Sequence, residues 1–265
     1  MTGKLLAGLG AGCLVLFAQA ASAQQQWTRL PGYLSQQEMP NAAAIIGPPP
    51  ANGSGTKAGD VATYEATRKL KDTPRWTLAV SDAQFGPAAI MREYSCAAGM
   101  SLDPAIDPAL FQLLRRVVED SESVEQPAKA AYKRPRPFVE NGGPMCTPDD
   151  KSILNSYSYP SGHSTFSWTV GMIMAQLLPD RATALMNRAR SYGESRVICG
   201  AHYESDVQAG RMVASALVSV LQTNSQFRSD LDSARSELMA KRSQSSVPDA
   251  GECRLEADAD ANPVW

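Results

Sequence analysis

Two histidines are the only ones in this chain of 265 residues, and each lies among residues suited to binding an anion. His163 stands in YPSGHS, directly before the apolar run TFSWTVGMIMAQLL, which predicts a buried helix. The backbone N–H groups around Gly162 and His163 would then lie at a helix N-terminus, where phosphate groups bind. The Ser161 hydroxyl could add a hydrogen bond, and His163 could give a proton to a leaving oxygen. Taken alone, a Ser-Gly turn capped by the histidine is the simpler explanation.

The second histidine, His202, lies in ESRVICGAHYESDVQAGR, four residues before Asp206. A helix that ends at Gly200 and a new one that starts at His202 would place these two side chains on one face. The carboxylate could accept a hydrogen bond from Nδ1 and leave the Nε2 lone pair free to attack. Arg196 carries a planar guanidinium that suits a phosphate. An ordinary surface His–Asp pair and a structural salt bridge are the simpler alternatives.

A third segment, KAAYKRPRPF, supplies Lys129 and Arg136, two cations seven residues apart. Seven residues are two helical turns, so both side chains could converge on one point if the helix continues to about Lys133. Lys133 and Arg134 would then face elsewhere. A solvated basic turn explains this segment better when it is taken alone. Three segments with phosphate-suited donors, two of which carry the two histidines, together favour one shared anion site.

Composition limits the classes of partner. The formal net charge of −2 provides no basic surface for nucleic acid or anionic lipid, and 43% hydrophobic residues are ample for a packed core. Residues 1–23 have an apolar stretch and end in small residues, Ala21 and Ala23, before Gln24. This pattern is typical of a signal peptide. We predict cleavage after Ala23 and a mature protein that is exported, periplasmic or secreted, and not embedded in a membrane.

The remaining chain divides into three predicted parts. Residues 24–59 are rich in Pro, Gly, Gln and Ala and predict an extended N-terminal arm. Residues 60–243 carry helical patterns and no convincing alternating strand, which predicts one compact all-α domain. Residues 244–265 predict a polar C-terminal tail, within which the acidic stretch DADAN is assigned to solvent.

Within the predicted domain, apolar residues recur at the three- and four-residue spacing of helices. Asp60 could cap the first helix, Pro74 should separate it from the next, and a later helix should be interrupted near Pro127. The run TFSWTVGMIMAQLL is too long for an ordinary strand and too short for a membrane span, so it predicts a buried helix. Three more helical patterns follow: RATALMNRARSYGESR, SDVQAGRMVASALVSVLQ and SQFRSDLDSARSELMAKR.

The spacing of the three segments resembles a known signature. Lys-x6-Arg-Pro, Pro-Ser-Gly-His and Ser-Arg-x5-His-x3-Asp form the three-part motif of the phosphatidic acid phosphatase type 2 and vanadium haloperoxidase superfamily. The matching residues are Lys129, Arg136, Pro137, Pro160, Ser161, Gly162, His163, Ser195, Arg196, His202 and Asp206. The signal peptide, SYPSGH and TPRWTLAVSDA make the chain similar to bacterial class A non-specific acid phosphatases over roughly residues 60–242. Tyr157 and Ser164 stand where that family has Gly and Thr, which leaves substrate preference open.

The resemblance implies a multi-helix domain of the acid phosphatase and vanadium haloperoxidase type that hydrolyses small phosphomonoesters without a metal or other cofactor. His202 would attack phosphorus to form a phosphohistidine, His163 would protonate the leaving oxygen, and Asp206 would orient His202. The phosphate would be bound by Lys129, Arg136, Ser161, Gly162 and Arg196. Transfer of the phosphoryl group to alcohols or nucleosides, the natural substrate and a homo-oligomeric state stay open.

Cysteine pairing follows from the same resemblance. Four cysteines lie beyond residue 23, which allows three full pairings in an oxidising compartment. Because Arg136 and Arg196 should reach one phosphate, their segments should bring two cysteines together. The expected disulfides are Cys146–Cys199 and Cys96–Cys253.

Two other functions use similar residues. A vanadate-dependent haloperoxidase would hold vanadate at His202 in the same cradle of cations. A secreted protein that captures phosphate without turnover would need the positive pocket, but it would not need a proton donor opposite a nucleophile. The chain length, the signal peptide and the class A motifs favour the phosphatase.

Overall fold

The computed structural model describes residues 29–242, 246 and 248–265, so the predicted signal peptide at residues 1–23 lies outside the described residues. The described part is all helical, as predicted, and contains no strand. Its helices are α1 (Ala42–Ile46), α2 (Gly55–Thr67), α3 (Pro74–Ser81), α4 (Pro87–Ala98), α5 (Pro108–Tyr132), α6 (Pro137–Asn141), α7 (Lys151–Leu154), α8 (Gly162–Leu177), α9 (Ala182–Ile198), α10 (Glu204–Leu221), α11 (Ser225–Lys241) and α12 (Ala250–Ala261).

The apolar run predicted as a buried helix is α8, and it lies at the centre of the domain. Its side chains Phe166, Val170 and Ile173 are buried in the main hydrophobic core. Helices α5, α9 and α10 pack around it, and α11 covers α5 from the outside. Because α8 is apolar on nearly all sides, only a position enclosed by other helices removes it from water.

Two glycines let neighbouring helices approach α8 closely. A Cβ on Gly210 of α10 would lie 2.7 Å from the Ser161 carbonyl oxygen, and a Cβ on Gly171 of α8 would lie 2.8 Å from the Ala189 Cβ. Any larger residue at either position would have to displace backbone or core atoms. The N-terminus of α8 is therefore fixed directly by its contact with α10.

The predicted extended arm contains helical structure. Helix α1 forms inside it because the Asn41 side chain accepts a hydrogen bond from the Ala44 N–H. Helix α2 begins at Gly55, five residues before the predicted start of the domain, because Ser54 caps it in the same way. Asp60 lies inside α2 and does not cap it.

The predicted interruption at Pro127 is wrong, since α5 runs through this residue. A proline in a helix interior removes one hydrogen bond and costs about 3 kcal/mol. Val124 and Ala128 on either side are fully buried in the core, so packing keeps the segment helical. Pro74 does separate two helices, because it is the first residue of α3.

The predicted polar C-terminal tail is also wrong, because residues 250–261 form α12. Asp249 caps this helix through the Gly251 and Glu252 N–H groups. Ala259, within the acidic stretch assigned to solvent, is buried, and α12 packs on α3, α4 and α9. The short acidic sequence does not reveal this helix, since its position depends on contacts with residues far away in the chain.

Both expected disulfides are present. Cys146–Cys199 links the segment after α6 to the end of α9, with a Cα–Cα distance of 4.8 Å. Cys96–Cys253 links α4 to α12, with a Cα–Cα distance of 5.3 Å and a sequence separation of 157 residues. Crosslinks over such separations reduce the freedom of the unfolded chain. Among the helices of the described residues, none is long and apolar enough to cross a lipid bilayer.

Replacing Gly210 with alanine should destabilise the protein by about 1–3 kcal/mol, because the new Cβ would press on the Ser161 carbonyl. Gly59→Ala in α2 is the matched control, since a Cβ there meets no atom within 4 Å. This control should stabilise by about 0.4–1 kcal/mol. Urea unfolding of the two variants measures both effects. Equal unfolding midpoints in Gly210→Ala and the parent protein would contradict the close approach of α10 to α8.

Candidate active site

A cavity of about 590 Å³ opens beside the N-terminus of α8. Six of the residues predicted for the site line it, and Ser161 and Asp206 are fully buried behind its wall. The six lining residues are Lys129, Arg136, Gly162, His163, Arg196 and His202. The three motifs, separated by as many as 77 residues between Lys129 and Asp206, therefore converge on one place.

Three cations supply the positive charge of the cavity. Arg196 is fully buried, and its Nε and Nη1 have no hydrogen-bond partner among the described residues. Arg136 donates to the Ala201 carbonyl at 2.9 Å, and Lys129 Nζ donates to the Pro160 carbonyl at 2.8 Å. Burying a guanidinium with unpaired N–H groups is costly, so the arrangement indicates that an anion completes its hydrogen bonds.

Lys129 and Arg136 reach the cavity by different backbone conformations. Lys129 lies in the last turn of α5, which ends at Tyr132 because Lys133 adopts a left-handed conformation with φ 46°. Arg136 follows in extended backbone directly before α6. The guanidinium of Arg136 is held by the Ser156 carbonyl at 3.0 Å and the Ser156 hydroxyl at 2.9 Å. The two side chains converge as predicted, and α5 ends at Tyr132, next to Lys133, where the helix was expected to end.

His202 lies just before α10, whose N-cap is Tyr203, so the prediction that His202 opens this helix is wrong. Its Nε2 is 3.0 Å from Arg136 Nη1. Its Nδ1 is 3.6 Å from Asp206 Oδ2, which is longer than a hydrogen bond. Asp206 Oδ2 instead accepts from the Tyr203 N–H at 2.8 Å, because Asp206 is also the third residue of a capping box.

An arginine that sequence reasoning set aside holds Asp206. Arg134 Nη1 donates to Asp206 Oδ1 at 2.6 Å, and its Nη2 donates to Asp60 Oδ2 at 2.7 Å. Asp60 also accepts from the Ser205 N–H and hydroxyl. All three charged side chains are buried. This chain of ion pairs connects α2 to α10 and fixes the carboxylate behind His202. No signal in KRPRPF distinguishes Arg134 from its basic neighbours or predicts this role.

His163 lies in the first turn of α8, next to Gly162. Its Nε2 is 3.3 Å from the Ala83 carbonyl oxygen, and its ring packs against Phe85 with ring centroids 4.7 Å apart. Ser161 is the N-cap of α8, where its hydroxyl accepts from the Ser164 N–H and lies 2.9 Å from the Ser164 hydroxyl. The predicted phosphate donor Ser161 therefore has a capping role that the sequence motif did not reveal.

The cavity shifts the pKa values of its titratable groups. Burial lowers the pKa of His202 well below its usual range, and Arg136 and Lys129 add to this effect. Burial and the charge of Arg196 likewise lower the pKa of His163. Both imidazoles therefore stay neutral into the acidic range in the unliganded protein. The described residues contain no group of three or more His, Cys, Asp or Glu side chains arranged to hold a metal ion.

A carboxylate that was absent from the sequence prediction also lines the cavity. Glu125 lies one helical turn before Lys129 on α5, and its Oε2 is 3.9 Å from Lys129 Nζ. Burial raises the pKa of Glu125 to about 7, while Lys129 acts in the opposite direction. The i,i+4 spacing from Lys129 is the sequence signal that could have identified it.

Comparison with known proteins agrees with the fold and the motifs. The PAP2 superfamily profile matches residues 117–229. The chain is 41% identical over 215 residues to the acid phosphatase of Zymomonas mobilis, which covers 81% of each protein. It is 34% and 35% identical to the non-specific acid phosphatases of Providencia stuartii and Salmonella typhi, over 77% and 78% of this chain and 84% of each relative. These findings show that the chain belongs to the PAP2 superfamily, among its class A non-specific acid phosphatases.

Proposed function

We propose that this acid phosphatase hydrolyses small phosphomonoesters through a phosphohistidine intermediate formed at His202. The observation that carries the proposal is the buried Arg196, which has unpaired N–H groups and lines a cavity shared with both histidines. The relatives named acid phosphatases support phosphate esters as the substrate class.

The first step joins the substrate phosphorus to His202. The Nε2 lone pair forms an N–P bond while the ester P–O bond breaks, and the leaving oxygen takes a proton from His163 or from the phosphate itself. In the second step water attacks phosphorus, the N–P bond breaks, and His163 accepts the proton of the water. An alcohol or nucleoside hydroxyl in place of water would receive the phosphoryl group by the same route.

The charged residues stabilise the negative charge that develops on the phosphoryl oxygens. Lys129, Arg136 and Arg196 are all held by burial, and backbone carbonyls also hold Lys129 and Arg136, so these cations need little rearrangement as the reaction proceeds. Asp206 places a negative charge 3.6 Å from His202 Nδ1, which stabilises the positive charge that the imidazole gains on attack. No metal or other cofactor has a step in this scheme.

Purified protein should hydrolyse p-nitrophenyl phosphate in the presence of excess EDTA, and His202→Ala should lower kcat by about 10⁴-fold or more because the nucleophile is lost. Tight binding of inorganic phosphate by the inactive variant would confirm that the pocket remains formed. Methanol added to the parent enzyme should raise the ratio of p-nitrophenol to inorganic phosphate released, because methanol competes with water for the phosphoenzyme.

Full activity of His202→Ala would contradict the phosphohistidine. An inactive parent protein that gains peroxidase activity on addition of vanadate would favour the haloperoxidase alternative. An inactive parent protein that still binds phosphate would favour the binding protein.

The dependence of kcat/KM on pH should be bell-shaped with an acidic optimum. The pKa of His202 is lowered from 6.5, so the nucleophile stays neutral until the pH falls well below that value. Cleavage also needs one proton on His163 or on the substrate phosphate, whose second pKa is about 6, so the rate should fall as the pH rises through neutrality. Steady-state rates from pH 4 to 9 measure both limbs, and a rate that increases from pH 6 to 8 would contradict the scheme.

We also propose that residues 1–23 direct export and are removed after Ala23. The two disulfides support this proposal, because such bonds persist in oxidising compartments outside the cytosol. Expression of the full chain in a bacterium should give a periplasmic or secreted protein with Gln24 as its first residue by N-terminal sequencing. Ala23→Arg is the control, because it should block cleavage. An uncleaved cytosolic chain in the parent would contradict the proposal.

A further inference from the structure

We propose that Glu125 makes the affinity for phosphate dependent on pH. Its ionised carboxylate competes with a phosphate for Lys129 and for the N-terminus of α8. The protonated carboxyl group does not compete, so Lys129 and the N-terminus of α8 can both bind the ligand. Glu125 would thus act on the ligand both through Lys129 and by direct contact. The inference rests on the proposed function, since it assumes that the cavity binds a phosphoryl group.

The position of Glu125 carries the first part of the argument. A Cβ placed on Gly162 would lie 2.5 Å from Glu125 Oε1 and 2.7 Å from its Oε2, so the carboxyl group lies against the first residue of α8. Negative groups are favoured at a helix N-terminus, and phosphates bind there for the same reason. The carboxylate therefore lies where a phosphate oxygen would be expected to bind.

The missing hydrogen bonds of Glu125 carry the second part. Its side chain is 7% exposed, and its Oε2 has no hydrogen-bond partner among the described residues. Lys129 Nζ is 3.9 Å away and donates its hydrogen bonds to the Tyr157 and Pro160 carbonyls. A buried carboxyl oxygen that borders a cavity and lacks a partner is placed to contact a ligand in that cavity. In its protonated form it would donate a hydrogen bond to a phosphate oxygen.

The charges around Glu125 set the pH at which the competition appears. Burial opposes ionisation and holds the pKa near 7, with Lys129 and Arg136 lowering it and Glu122 raising it. The other charged or titratable groups of the same cavity are Asp150, Tyr157, His163, Arg196 and His202. A bound phosphate adds negative charge beside the carboxyl and raises the pKa further, so phosphate binding above neutral pH should include proton uptake by Glu125.

Glu125→Gln tests the inference, because it keeps the shape of the side chain and removes its charge. Inorganic phosphate, measured as a competitive inhibitor of p-nitrophenyl phosphate hydrolysis, is the probe. We expect the inhibition constants of the variant and the parent to agree within about twofold at pH 5 and the variant to bind about tenfold more tightly at pH 8.5. The alkaline limb of kcat/KM should move upward by about one pH unit.

Two matched variants control for the loss of a carboxyl group. Glu122→Gln removes another acidic residue of the same cavity wall, one that pairs with Arg29, and its phosphate binding should follow that of the parent at both pH values. Glu125→Asp keeps the charge and should keep the weaker binding at pH 8.5. A Glu125→Gln variant whose binding advantage is equal at pH 5 and 8.5, or which binds more weakly at both, would overturn the inference.

Infrared difference spectroscopy of the parent protein provides a second test that needs no variant. Addition of inorganic phosphate at pH 8 should produce a band of a protonated carboxyl group, and the absence of this band would count against the inference. Hydrolysis of p-nitrophenyl phosphate by the parent, and its loss in His202→Ala, are measured independently of these tests. Failure of the inference about Glu125 therefore leaves those two results, and with them the proposed function, unaffected.

Discussion

The repulsion among three buried cations is the constraint on which the rest of this structure depends. Lys129, Arg136 and Arg196 share one cavity, and burial with mutual repulsion lowers the pKa of Arg136 to about 10. Such a cluster persists only if the surrounding fold is rigid enough to hold it. Helix α8 begins at this cavity, α10 packs closely on Ser161 at the start of α8, and the Cys146–Cys199 disulfide links the segments that follow Arg136 and Arg196, so these three features supply that rigidity.

A second buried charge cluster supports the segment of α9 that carries Arg196. Arg188 of α9 forms ion pairs with Asp82, Glu93 and Glu256, which brings together α3, α4, α9 and α12. Asp82 also accepts a hydrogen bond from the Ser195 hydroxyl at 2.5 Å. Ser195 directly precedes Arg196, so the signature serine fixes the backbone that carries the unpaired guanidinium. Helix α12 thereby contributes to the site without contacting it.

The sequence predicts the parts of the protein that depend on local pattern. The apolar run that became α8 and the fixed spacing of the three motifs identify the central helix and the residues that line the cavity. The Cys146–Cys199 disulfide also follows, because two arginines predicted to share one ligand bring their neighbouring cysteines together, and Cys96–Cys253 is the pair that remains. These features have a signal within a few residues of chain, or in a spacing that the chemistry requires.

What the sequence does not predict depends on long-range partners. Arg134 and Asp60 are separated by 74 residues, and nothing in either segment indicates that they meet behind Asp206. Helix α5 passes through Pro127 because of core packing, which local propensity cannot show. The placement of Asp206 beside His202 Nδ1 likewise involves its capping role, because Asp206 Oδ2 accepts a hydrogen bond from the Tyr203 N–H.

The loop closed by Cys146–Cys199 is nested within the loop closed by Cys96–Cys253. Cys146 and Cys199 both lie between Cys96 and Cys253, so all three motif segments lie within the larger covalent ring and part of them also within the smaller one. A single cut by a protease in an exposed connection, such as the one around Gly142 and Gly143, would leave two pieces joined through sulfur. The cleaved protein would remain one molecule, and its pieces would separate only after both reduction and unfolding. This arrangement gives the folded chain a tolerance to backbone cleavage that packing alone does not provide.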